Sequence, residues 1–159
     1  ESKHMQAMIS RSYGHKGTSF LEIYQNCNIF NDGAFGPMTD KESKADSVLW
    51  LENGQPMVFG KEKNRGIRLD GNTPMIVEIG DKWSLDDVLV HNESDYVIAS
   101  LLSNLTYQSD FPDPIGVLYA IDSPTYEELM MEQINNEIGK KGSTSVQDIL
   151  NAGDTWVVE

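Results

Sequence analysis

One cysteine in 159 residues leaves the chain without an internal disulfide and suits a reducing compartment such as the cytoplasm. Basic residues are scarce as well: 12 Lys and Arg stand against 25 Asp and Glu, a formal net charge of −13. Nucleic acid and anionic membrane surfaces would be repelled by such a balance. No apolar run approaches the roughly 18 residues a membrane helix needs. Glycines occur singly, so there is no Gly-rich loop to cradle a phosphate. The three histidines, His4, His15 and His91, are scattered without H-x-x-x-H spacing, which argues against zinc. What remains is enough chain for one core, with room for a small appended subdomain.

The residues present divide into recognisable segments. Met5, Met8, Ile9 and Tyr13 recur at helical spacing after the cap candidate Ser2, so residues 2–14 read as an amphipathic helix. Residues 18–24 follow as an apolar run broken only by Glu22, the pattern of a strand covered on both faces in a parallel sheet. Helix and buried strand together read as the closing half of an α/β unit whose opening half is absent. Residues 31–47 are polar and turn-rich. Val48–Leu51 and Met57–Phe59 flank Asn53-Gly54 as a hairpin, and residues 67–69 and 75–79 add two further strands. Ser84 caps a short helical turn. Ser94 starts a helix through Leu105, and residues 115–121 read as a final strand. Ser123-Pro124 followed by Glu127-Glu128 opens a long helix to Gly139, and Ser145 to Ala152 forms a last short one.

Few residues invite chemistry. Cys27, directly after the apolar run, reads either as a small core hydrophobe or as a soft thiolate ligand held at a strand end. Asn26, Asn28, Asn31 and Asp32 around it either direct hydrogen bonds at a cluster or simply shape a turn. His91 is favoured as a structural histidine, since no nucleophile or orienting carboxylate is placed beside it. Asp86-Asp87 and Glu127-Glu128 fall in first turns of helices, where the dipole accounts for them. Trp50, Trp83 and Trp156 read as core or subunit-contact residues.

The stretch GTSFLEIYQNCNIFNDGAF (residues 17–35) resembles a segment of the β subunit of 2-oxoacid:ferredoxin oxidoreductases. The resemblance continues through Pro56–Gly60, Leu89–Glu93, Pro114–Leu118 and Pro124–Glu128, in order, over nearly the whole chain. It implies an α/β fold: residues 1–35 would end a thiamine-diphosphate-binding parallel-sheet domain, and residues 36–159 would form a small mixed β region with C-terminal helices. It further implies oxidative decarboxylation of a 2-oxoacid, 2-oxoglutarate or pyruvate, onto coenzyme A, with an α subunit and ferredoxin as partners. Cys27 matches the fourth thiolate of the family's [4Fe-4S] cluster. The other three cysteines and the Gly-Asp-Gly-Asp motif that holds Mg²⁺ and thiamine diphosphate are not in this sequence, so the resemblance implies a C-terminal part, with none of these cofactors expected on it alone. A rival reading from the residues themselves is a free-standing, non-catalytic α/β interaction module.

Overall fold

The computed structural model describes residues 1–142 and 144–158. They form a mixed α/β fold with a two-stranded parallel sheet and a three-stranded antiparallel one, and they separate into two compact units, each described by itself. The first comprises Glu1–Tyr13 with Phe20–Ile121; the second comprises Gly14–Ser19 with the chain from Asp122 onward.

The first unit is built around β1 (Val48–Trp50), β2 (Val58–Phe59), β3 (Arg65–Asp70), β4 (Thr73–Glu78), β5 (Asp113–Ile115) and the helix α4 (Tyr96–Leu105). β3 and β4 form a hairpin in which Asp70 faces Thr73 across Gly71-Asn72, and Ile67 faces Ile76. β2 adds antiparallel to β3. One face of this sheet packs on α4: Leu49, Met57, Phe59, Ile67, Leu102 and Leu105 make the buried core. α4 starts where the Asp95 side chain accepts hydrogen bonds from the amides of Val97 and Ile98, satisfying two of the donors a helix start leaves free. A cap at Ser94, one residue earlier, was the expectation. α1 (Ser2–Gly14) lies where its periodicity placed it, joined to the unit by the Arg11–Glu93 and Lys44–Glu1 ion pairs and by the edge of His4 against Trp50 at 4.9 Å. Two short helices, α2 (Gly36–Thr39) and α3 (Lys44–Ser47), occupy the polar stretch before β1.

Three expectations fail. Residues 18–24 form no strand: Phe20 is 90% exposed, and Leu21, Ile23 and Tyr24 are exposed too. A strand exists only through its neighbours' hydrogen bonds, and no strand ladder among the described residues includes this stretch. Asn53-Gly54 does not join a hairpin. The Gly54 amide donates to His91 O at 2.7 Å, and Asn53 Oδ1 accepts from the Glu93 amide at 3.2 Å. β1 instead runs parallel to β5, with Leu49 facing Pro114. The final strand ends at Ile115, because Gly116 takes a φ of +138° that breaks the extended run.

In the second unit, α5 (Tyr126–Lys141) opens on a capping box between Thr125 and Glu128, two residues beyond the expected Ser123, and runs past Gly139 to Lys141. Lys16 pairs with Glu128 at 3.2 Å, and the Ser123 amide donates to Lys16 O. α6 (Val146–Leu150) has a second capping box between Ser145 and Asp148.

Candidate functional site

Cys27 lies in a tight turn, not at the end of a strand. The Asn31 amide donates to Cys27 O at 3.0 Å, closing residues 27–31 into a single loop. Asn26 organises that loop from one side. Its amide nitrogen donates to Asn28 Oδ1 at 2.7 Å and to Asp32 Oδ1 at 2.9 Å, while its carbonyl oxygen accepts from the Gly33 amide at 2.9 Å. Gly33 has a φ of +76°, the left-handed conformation that glycine adopts without a Cβ penalty. Below the turn, Tyr24 stacks on Phe35 with ring centroids 4.9 Å apart and planes 15° from parallel.

This local folding shows where the polar side chains are spent. The side chains of Asn26, Asn28 and Asp32 are spent on one another, and the donors aimed at the sulfur are backbone amides. Hydrogen bonds from the Phe30 amide, then Ile29 and Asn31, hold the Cys27 thiol below its usual pKa, and the slight burial that opposes them is the smaller effect. The sulfur itself is exposed, so the core-hydrophobe reading fails. Ile29 and Phe30, whose amides face the sulfur, expose their own side chains at 84% and 89%. The turn therefore presents an exposed thiol whose ionisation is eased by main-chain donors. Sequence alone pointed to the cysteine and the turn; the roles of Ile29 and Phe30 went unread, since backbone donors leave no residue-type signature.

A thiolate of this kind binds a soft metal centre through a single bond. No group of three or more His, Cys, Asp or Glu side chains able to hold a metal occurs among the described residues, so Cys27 supplies one corner of any such site and no more.

The other candidates have surroundings of their own. His91 is 1% exposed, and its Nε2–H donates to Val117 O at 2.8 Å. Its Nδ1 has no partner among the described residues. With its backbone bonded to Gln55 and Gly54, it ties three loops together, which is the structural role expected. Asp87 accepts from both the Ser84 amide and hydroxyl at 2.9 Å, which keeps its pKa below the ordinary carboxylate value. Glu128 is likewise spent on the Thr125 amide. Trp83 is half-buried beneath the Arg68 guanidinium, 4.4 Å from its ring. Trp50 is 38% exposed and Trp156 84% exposed, so Trp156 belongs to no core.

The chain is 30% identical over 149 residues to the 2-oxoglutarate oxidoreductase subunit KorB of Mycobacterium tuberculosis. That match takes in 91% of this chain and 39% of the relative, so the chain spans about two fifths of the relative's length. No protein-family model and no solved structure matches it. The resemblance to 2-oxoacid oxidoreductase subunits thus extends to a curated protein and covers nearly all of these residues.

Proposed function

We propose that this chain is the C-terminal part of a 2-oxoacid:ferredoxin oxidoreductase β subunit and that Cys27 is one thiolate ligand of the enzyme's [4Fe-4S] cluster. The observation that carries the proposal is the sulfur of Cys27 beneath three backbone amides, within a chain 30% identical to a 2-oxoglutarate oxidoreductase subunit. Hydrogen bonds to a coordinated sulfur raise the reduction potential of a cluster by stabilising its reduced, more negative state. Bound there, a cluster supplies one-electron transfer. The contribution of this chain is narrower. It pre-forms the loop and eases deprotonation of the sulfur.

In this reading residues 1–35 close the thiamine-diphosphate-binding domain and residues 36–159 form the C-terminal domain of the subunit. Thiamine diphosphate, Mg²⁺ and the other three cysteines belong to the preceding part of the subunit. The α subunit, ferredoxin, coenzyme A and a 2-oxoacid, 2-oxoglutarate by the relative's name, complete a cytoplasmic enzyme. No helix among the described residues is long and apolar enough to cross a membrane.

The test is Cys27→Ser in the complete enzyme. Serine offers a harder, far less acidic ligand in nearly the same volume. Iron content and the reduced-cluster EPR signal should fall, and ferredoxin-linked turnover with them, while thiamine diphosphate still binds. Unchanged iron and an unchanged signal would remove Cys27 from the site and favour the free-standing interaction module.

A further inference from the structure

Asn53-Gly54 is the one Asn-Gly pair in the chain, and in water such a pair is chemically unstable. Asparagine is a thermolabile residue, and a following glycine has no Cβ to hinder its own amide nitrogen. The Gly54 nitrogen can lose its proton and attack Cγ of Asn53. A bond forms between them, the Cγ–Nδ2 bond breaks, and Nδ2 leaves as ammonia after taking up the proton. Water then opens the resulting ring at either carbonyl. The product is aspartate, or isoaspartate, in which the main chain runs through the side-chain carbonyl and is one carbon longer. One water is consumed, one ammonia is released, and nothing is oxidised or reduced.

Both reacting groups are engaged in the fold. The Gly54 amide donates to His91 O at 2.7 Å, which holds the proton that must leave. The Glu93 amide donates to Asn53 Oδ1 at 3.2 Å, which tethers the carboxamide to the 91–93 segment. On the flanks, the Gln55 amide donates to Glu52 O at 3.1 Å and the His91 amide donates to Gln55 O at 2.9 Å. Asn53 itself is exposed, but its anchor is not: the His91 ring is 1% exposed and bonded to Val117 O at 2.8 Å. All of these contacts lie within the first unit, so the lock is independent of what else packs on the chain.

We infer that Asn53 is a latent deamidation site, kept shut by the bonds to His91 and Glu93, and that opening of this junction admits a modification the chain cannot reverse. An isoaspartate at position 53 lengthens the main chain just before the Gly54 amide. The Gly54 nitrogen and Gln55 O then no longer register together on His91, and the junction stays open. The inference does not depend on the enzymatic reading of Cys27.

Ageing the 159-residue chain in warm, mildly alkaline buffer, with mass spectrometry of the peptide that holds Asn53, tests it. In the native chain the conversion should run at about a tenth or less of its rate in a synthetic peptide of residues 50–57, because the ring closes only in the opened fraction. Urea too dilute to unfold the chain should raise the conversion rate and the hydrogen-exchange rate of the Gly54 amide by the same factor. The isolated isoaspartate form should lose protection at the Gly54 and His91 amides. Asn53→Asp, which keeps the ordinary main chain and an acceptor for the Glu93 amide, should retain it. Conversion as fast in the native chain as in the peptide would overturn the proposal, as would a rate that stays constant while Gly54 exchange rises. An isoaspartate form with both amides still protected, or an Asn53→Asp chain opened as far as that form, would overturn it too.

Discussion

Gly116 gives the sharpest test of how the two sheets are held, because its cost can be separated into backbone and contact parts. At φ +138° a side chain is strained whatever surrounds it, and such conformations cost about 1–3 kcal/mol for a residue with a Cβ. The Cβ of an alanine would also stand 2.9 Å from Leu51 O and 3.1 Å from Leu51 Cβ. Leu51 cannot simply retreat. Its amide donates to Ile115 O at 2.9 Å, extending the β1–β5 ladder, and breaking that bond costs about 1 kcal/mol. Gly116→Ala should therefore lose about 2–4 kcal/mol, a fall in Tm of roughly 5–15 °C for a chain of this size. Gly54→Ala is the control, for its φ is +76° with no atom within 4 Å of the added Cβ; it should lose only about 1 kcal/mol from the backbone term. Urea titration followed by tryptophan fluorescence reads both, with Trp50 one residue from Leu51. Equal losses in the two variants would refute the contact argument, and a loss at Gly116 below that at Gly54 would refute the strain argument as well.

Leu102 is fully buried in the core, so Leu102→Ala should cost about 2–5 kcal/mol in the same titration. Asp95→Ala removes the acceptor for two amides at the start of α4 and should cost about 1 kcal/mol, with helix content falling only slightly. The Cys27 thiol should ionise below its ordinary pKa, so thiolate absorbance near 240 nm should appear at lower pH than in an unfolded peptide of residues 24–30; coincident titrations would remove the amide cradle. Asn26→Ala should shift that titration back toward the ordinary value. Amides of Phe20 to Ile23 should exchange with solvent almost as fast as in a random coil, because the stretch is unpaired, and strong protection there would contradict the exposed conformation.

Helices and caps were legible in the sequence because their causes are local. The spacing of Met5, Met8 and Ile9, and the polar residues before α4, α5 and α6, act within a few positions of themselves, and the errors are one or two residues in the cap. Strands were legible only where their partners sit nearby, as in the β3–β4 hairpin across Gly71-Asn72. Thr18–Tyr24 has the composition of a doubly covered strand, but a composition cannot supply neighbours. Asn53-Gly54 shows the reverse failure: a sound turn signal whose hydrogen bonds go to His91 and Glu93, sixty-five positions of chain being needed before β1 meets β5. At the candidate site the cysteine and its turn could be read, whereas the donors at the sulfur are main-chain groups that residue identity does not encode.

The parallel pairing of β1 with β5 has a kinetic side. Val48 and Asp113 come together only after the intervening chain has been reeled in, whereas Asp70 and Thr73 meet across two residues. Chain-closure entropy therefore orders the events: the short hairpin first, β2 added to its edge, α4 laid over the growing apolar surface, and the distant strand last. Until that final step Leu49 has only one of its flanks covered. A nascent or thermally opened molecule would expose the edge of β1 before any other buried backbone, which makes the seam between the first and last strands the place where unfolding starts and where a protease or a chaperone would first find purchase.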